Sequence, residues 1–268
     1  MPEKVDLYNS AYGNYGLDTY VEIRKETYGE DLGQTSWVTA EESSEIPRLL
    51  EIDAACQVLE IGCGSGRYAL RVAEQTGCHI IGLDVNPHGI RNANEIARQE
   101  NLDSLVTFEE CDASRKLPFE DSTFDAIFSN DVLCHLPGRV SVLAELGRVL
   151  KPGGRLLFSD ALIVGGLLTN EEVATRSSIG IYVFSPPGTN EQLIQIAGLR
   201  VIHGTDTTGS AEVISKRWHD ARQRRAAELV AVEGMANFSG LQRFLSCVHT
   251  LTAERRLLRW VYLARKEA

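Results

Sequence analysis

The run Gln57-Val-Leu-Glu-Ile-Gly62-Cys-Gly64-Ser-Gly66-Arg-Tyr68 decides the fold. Its first half is a short apolar stretch with no polar alternation, which reads as a strand buried on both faces, as in a parallel sheet. Glycines end it, and a helix is predicted to follow from Tyr68 to about Thr76. A glycine-rich strand-to-helix turn lets the backbone bend sharply and approach a ligand with no Cβ in the way, at the carboxyl edge of the sheet. A dinucleotide fingerprint needs a third glycine three residues after the second. Position 67 is arginine and the spacing is G-x-G-x-G, so a nicotinamide cofactor is not the first choice.

Outward from this turn, strand and helix patterns take turns. Strands are predicted at Cys78 to Asp84, Val106 to Glu110, Phe124 to Ser129 and Gly154 to Asp160, with helices over Pro87 to Glu100 and Ser141 to Leu150. That alternation predicts an α/β fold with a Rossmann-like, doubly wound, seven-stranded sheet. In Lys151-Pro-Gly-Gly, proline stops the preceding helix and the glycines admit the positive φ of a turn. Beyond Asp160 come helices near Asn170 to Arg176 and, capped by Thr189, Asn190 to Ala197. A strand from Leu199, long amphipathic helices over 210–256 and a final strand from Leu258 complete the chain. Residues 1–47, rich in tyrosine, are read as an N-terminal helical cap, and the helices at 210–256 as a lid inserted before the last strand.

The 268 residues are 43% hydrophobic and 24% charged, an ordinary globular composition that excludes disordered and fibrous classes. A net charge of −10 repels phosphate backbones, so nucleic acid is not an expected partner. The late basic run (Lys216, Arg217, Arg222, Arg224, Arg225) reads as a solvated helix face. Six cysteines without any C-x-x-C pair indicate neither a disulfide framework nor a metal site. The N-terminus lacks the apolar stretch of a signal peptide, and the longest apolar run, from Ala161 to Leu168, is too short to span a bilayer. A cytoplasmic protein without membrane contact is expected.

Two acids follow the glycine turn at strand ends. Asp84 closes the second strand, where a carboxylate accepts both hydrogen bonds of a ribose diol. Asp112, with Ala113 next to it, follows the third strand, where a carboxylate and the next backbone N–H could read an adenine edge. Either acid alone could simply be a solvated cap, but in this order they point to an adenosine-type ligand.

Together these segments resemble the class I S-adenosylmethionine-dependent methyltransferases over about residues 46–160. The resemblance is carried by Val58-Leu-Glu-Ile-Gly-Cys-Gly-Ser-Gly, Gly82-Leu-Asp-Val-Asn, Cys111-Asp-Ala, Leu117-Pro-Phe…Phe124-Asp and Leu150-Lys-Pro-Gly-Gly. It implies S-adenosylmethionine as cofactor, with Gly62 and Gly64 along its methionine part, Asp84, Val85 and Asn86 at the ribose, and Asp112 and Ala113 at the adenine. Glu60 is expected only to support the loop. On this reading the chain is a single methyltransferase domain, with its cap at 1–47, its cofactor-binding core at 48–161 and its acceptor-side half at 162–268.

Transfer from a sulfonium leaves a neutral thioether, so the protein's task is to hold the acceptor in line within a dry pocket. An amine or hydroxyl acceptor must still lose a proton, and His135, beyond the fourth strand in Ser129-Asn130-Asp131-Val-Leu-Cys-His135, is the candidate base. The pattern Asn130-Asp131…His135, with the N-terminal run from Asn14 to Gln34, is similar to that of phosphoethanolamine and sarcosine/dimethylglycine N-methyltransferases. That likeness implies a latch between Tyr15 and His135, with Asn130, Tyr20 and Gln34 closing over the cofactor; the bland alternative is that the tyrosines only pack the cap on the core. Asp160 is a candidate to orient a cationic acceptor or to act as a cap. The expected activity is N-methylation of a small metabolite. O- or C-methylation of a natural product, quinone or tocopherol-like ring is the alternative, and a non-catalytic S-adenosylmethionine-binding protein the reading from another class. Oligomeric state is left open.

Overall fold

Seven strands form one sheet in the order β3-β2-β1-β4-β5-β7-β6. The computed structural model describes residues 5–33 and 35–267. The strands are β1 (Gln57–Ile61), β2 (His79–Asp84), β3 (Val106–Glu110), β4 (Phe124–Ser129), β5 (Leu150–Val164), β6 (Leu199–Asp206) and β7 (Leu257–Lys266). Neighbours from β3 to β5 are parallel, while β7 runs antiparallel to both β5 and β6. Val58, Leu59 and Ile61 of β1 are fully buried, each stabilising the fold by about 1.5–3 kcal/mol, and Glu60 between them is buried as well.

Helices α4 (Arg67–Thr76), α5 (Pro87–Gln99) and α6 (Arg139–Val149) cross between the parallel strands. Asn86 caps α5 through bonds from the N–H groups of His88 and Gly89, at 2.9 and 3.1 Å, with Pro87 preset for the first turn. Where a turn is expected at Lys151-Pro-Gly-Gly, β5 instead continues through it. Leu150 pairs with Phe124 and Arg155 with Ala126, so the extra residues bulge out of the strand at Gly153, whose φ is 80°. Thr189, expected as a cap, is the first residue of α8 (Thr189–Ile196), and Gly188 at φ 83° takes the cap position. Helix α7 (Asn170–Arg176) opens on a capping box between Thr169 and Glu172.

The N-terminal helices are α1 (Tyr8–Gly13), α2 (Asp18–Tyr28) and α3 (Ala40–Leu50); α3 runs straight through residue 47, so cap and core share it. Between β6 and β7 lie α9 (Thr208–Arg224), α10 (Ala226–Glu233) and α11 (Met235–Ala253). Tyr20, Ile23, Tyr28 and Trp37 of the N-terminal part share one apolar cluster with Ala211, Trp218, Leu241 and Phe244 of that insertion. Cap and lid therefore pack as one layer. All six cysteines are free thiols, and among the described residues no helix is long and apolar enough to cross a membrane.

Candidate active site

The carboxyl ends of β1, β2, β3 and β4 open into a cavity of about 690 Å³, roofed by α1, by Leu32, Gly33, Thr35 and Ser36, and by the segment Ile179–Ile181. That volume suits one or two small molecules. Gly62, Gly64, Asp84, Val85, Asn86, Asp112, Ala113, Asn130 and His135 all line it, so the turn, both acids and the histidine that the sequence singles out meet in one place.

The glycine loop is held to β2 by bonds from the N–H groups of Gly62 and Cys63 to Leu83 O, at 2.7 and 3.0 Å. Gly62 and Gly64 have φ values of 74° and 53°, which side chains strain to adopt. A Cβ on Gly62 would lie 2.2 Å from Val132 Cγ2, and one on Gly64 would lie 2.3 Å from the Tyr12 hydroxyl. Asp84 Oδ2 accepts the Gly64 N–H at 2.8 Å and Oδ1 accepts that of Asn86 at 2.8 Å. Burial pushes its carboxyl up, and the Asn86 and Gly64 amides pull part of that back. Asp112 is held low by the Ser114 hydroxyl and N–H on Oδ1, leaving Oδ2 with only exposed Arg115. Asn130 carries a buried Nδ2 without a partner at the cavity wall. A cradle that any Cβ would fill, two acids spaced along it and an unpartnered amide donor fit an adenosine ligand with a charged amino-acid tail. Glu60 lies beneath the loop, fully buried, with its carboxyl pushed well above the usual range by burial and by the Asp84 charge.

His135 ends a short 3₁₀ turn, Leu133–His135. Its Nδ1 lies 3.0 Å from Ile181 O and its Nε2 lies 2.9 Å from the Tyr8 hydroxyl. A carbonyl can only accept, so Nδ1 carries the proton and Nε2 accepts from Tyr8. Desolvation, with the nearby Arg176 charge, pushes the imidazole down to about 4, the Ile181 carbonyl offsetting part. The ring is neutral at physiological pH.

The partner of His135 is Tyr8, not Tyr15. Tyr15 follows the end of α1, where the chain reverses into α2, and its ring lies under Arg24 with the guanidinium carbon 4.3 Å from the centroid. Neither Tyr15 nor Tyr20 lines the cavity. The Tyr20 hydroxyl bonds Ser10 and Glu233, at 2.9 and 3.1 Å, inside the cap–lid layer. Gln34 lies outside the described residues. Asp160 does not face an acceptor either. It is fully buried, accepting from Arg139 at 2.6 Å and Asn190 at 2.9 Å. Asp131, at φ 58°, accepts from Trp37 N, the Ser159 hydroxyl and Arg259, and so ties the turn carrying His135 to the backbone at Trp37, just past the roof residues Thr35 and Ser36. Sequence reasoning missed Tyr8, Asn9, Tyr12 and Thr35 on the roof; the tyrosine-rich cap was the only signal for them.

Residues 52–179 match a family described as a methyltransferase domain. The chain is 34% identical over 165 residues to methyltransferase GfsG of Streptomyces halstedii, covering 59% of this chain and 58% of that protein. It is 32% identical over 158 residues to 27-O-demethylrifamycin SV methyltransferase of Amycolatopsis mediterranei, covering 56% and 58%. The chain thus spans little more than half the length of these curated relatives. Phosphoethanolamine N-methyltransferase 2 of Haemonchus contortus, solved with phosphomonomethylethanolamine and S-adenosylhomocysteine, superposes with a TM-score of 0.78 at 20% identity, over 97% of this chain and 60% of that one. Residues 52–179, just under half of the chain, thus match a methyltransferase domain and hold the glycine loop and both acids that follow it.

Proposed function

We propose that the chain transfers a methyl group from S-adenosylmethionine to a hydroxyl oxygen of a small, largely apolar molecule. One observation carries this reading: the hydrogen-bonded Tyr8–His135 pair looks into the cavity beside a wall of Val5, Leu136, Pro137, Ile179 and Ile181. Among the described residues no carboxylate bonds His135, so a cationic amine finds no hydrogen-bonded counter-ion on the pair itself. When bound, the cofactor supplies a methyl carbon on a positively charged sulfur. Gly62 and Gly64 would give its methionine part a close backbone approach, Asn130 Nδ2 would be free to donate to its tail, Asp84 would accept from the ribose, and Asp112 with Ala113 would read the adenine. The Tyr8 hydroxyl donates its own proton in a hydrogen bond to His135 Nε2 and keeps a lone pair that accepts a hydrogen bond from the acceptor's hydroxyl before that proton leaves, which fixes the oxygen's approach.

The experiment is methyl transfer to a matched panel of phenols, alcohols and amines, read by mass spectrometry, with cofactor binding measured in parallel by calorimetry. Methylated phenols or alcohols are expected. Methylation confined to amines overturns the oxygen assignment, and cofactor binding without transfer to any acceptor leaves a binding protein.

A second reading, methylation of nitrogen on a small metabolite, is favoured by the likeness to a phosphoethanolamine N-methyltransferase along nearly the whole chain and by Asp6 at the cavity wall. The same panel decides between them.

A further inference from the structure

Five arginines are buried among the described residues: Arg24, Arg139, Arg176, Arg222 and Arg259. Four have a carboxylate partner, respectively Asp31, Asp160, Glu233, and Asp131 with Glu42. Arg176 has none among the described residues, although it is 1% exposed and its Nη1 finds no hydrogen-bond partner. Its guanidinium lies against aromatic faces instead, 4.4 Å from the Tyr182 centroid, 5.0 Å from Phe244 and 5.8 Å from Trp37. Aromatic faces attract a cation but do not neutralise it, and an uncompensated charge held away from water acts strongly on its surroundings.

The Tyr182 ring, on which Arg176 lies, is 4.3 Å from the His135 ring, centroid to centroid. The chain leaving α7 forms the cavity wall at Ile179–Ile181. The titratable groups around Arg176 are Tyr8, Cys134, Tyr182 and Cys247, all neutral at physiological pH. Farther off, Asp131 and Asp160 are already engaged by Arg259 and Arg139. Asp6, at the same part of the cavity wall, is exposed and its charge is screened by water, so it does not neutralise the buried charge of Arg176. The same charge opposes protonation of His135, so the Tyr8–His135 pair is a poor sink for a proton from an ordinary alcohol.

We propose that the acceptor is an acidic hydroxyl compound, a phenol or enol, that reacts as its anion, with Arg176 as the positioning residue whose unpaired charge favours ionisation in the cavity. This rests on the oxygen reading above. The hydroxyl proton leaves to solvent, the anionic oxygen's lone pair forms the new O–C bond as the C–S bond breaks, and that bond's electron pair returns to sulfur. An anion and a sulfonium become a neutral ether and a thioether, and no protein group needs to store a proton.

The test uses 4-nitrophenol, whose anion alone absorbs in the visible, titrated on protein saturated with S-adenosylhomocysteine. The bound probe is expected to ionise at a pH lower than the free probe by about one unit, a tenfold change in its acid constant. Arg176→Lys should keep most of the shift and Arg176→Met should abolish it. An unshifted or raised midpoint, a shift that survives in Arg176→Met, or failure of the wild type to bind the probe overturns the proposal. If Arg176→Met does not fold, calorimetry on the wild type decides, with benzoate expected to bind at least about tenfold more tightly than benzyl alcohol or benzylamine; equal or reversed affinities overturn it. S-adenosylhomocysteine binding is measured first. No heat there brings down the proposed function as well, whereas normal binding with an unshifted probe defeats the acidic-acceptor inference alone.

Discussion

The Tyr8 hydroxyl sits 2.9 Å from His135 Nε2, a bond that spans 127 residues and fastens the first helix over the turn that follows β4. With the Ile181 carbonyl on Nδ1, it leaves His135 one tautomer and one orientation. Tyr8→Phe keeps the ring and removes the hydroxyl. Turnover is expected to fall about 10- to 100-fold with cofactor affinity within twofold of wild type, whereas Tyr15→Phe leaves turnover unchanged. Steady-state kinetics beside calorimetry checks this, and equal losses in the two variants would return Tyr15 to the site.

Gly64→Ala places a Cβ 2.3 Å from the Tyr12 hydroxyl at a φ of 53°. About 1–2 kcal/mol of strain is expected, with cofactor affinity reduced tenfold or more. Thermal melting with and without S-adenosylhomocysteine measures both, and a ligand-induced stabilisation equal to that of wild type would show that this loop does not cradle the cofactor.

Asp160→Asn leaves Arg139 buried without its counter-ion. A loss of about 3–5 kcal/mol in urea unfolding is expected, with cofactor affinity unchanged in the variant that remains folded. A variant of normal stability that loses acceptor binding would give Asp160 the substrate role that its bonds to Arg139 and Asn190 argue against.

Burial moves the His135 imidazole down to about 4 in the folded chain, from an ordinary value near 6.5. Below pH 6.5 the unfolded chain therefore binds a proton that the folded chain refuses. The stability this group contributes is intact above pH 6.5 and is lost as pH falls towards 4. The slope is at most about 1.4 kcal/mol per pH unit, and because the ring is only partly buried, solvent screening narrows the pH range over which it acts. Urea midpoints for wild type and His135→Phe between pH 7 and 4.5 should diverge, the variant having the shallower dependence; parallel curves would rule out a depressed imidazole.

The parallel half of the sheet was legible because β1, β2 and β4 are largely apolar runs, the first two followed by residues with a turn chemistry of their own: Gly62 after β1 and Asn86 capping α5 after β2. The two acids were legible for the same reason, since Asp84, the last residue of β2, and Asp112, two residues past β3, lie at the carboxyl edge whatever packs above it. The roof was not. Which tyrosine reaches His135 depends on where α1 ends and how the chain reverses into α2, and the spacing of Tyr8, Tyr12, Tyr15 and Tyr20 is compatible with several such arrangements. Asp160 misled in the same way: a carboxylate at a strand end looks available until Arg139, 21 residues earlier, is seen to reach it.

Strand β7 joins the sheet between β5 and β6, although both of these and all three lid helices precede it in the chain. It also carries Arg259, the counter-ion of Asp131, at the turn that leads to His135. During synthesis, then, the catalytic end of the molecule waits on a seam threaded last. Until that ribbon slides between its two neighbours, β5 presents a bare edge and the Asp131 turn lacks its clamp, so a nascent chain halted after the lid should be recognised by chaperones as unfinished.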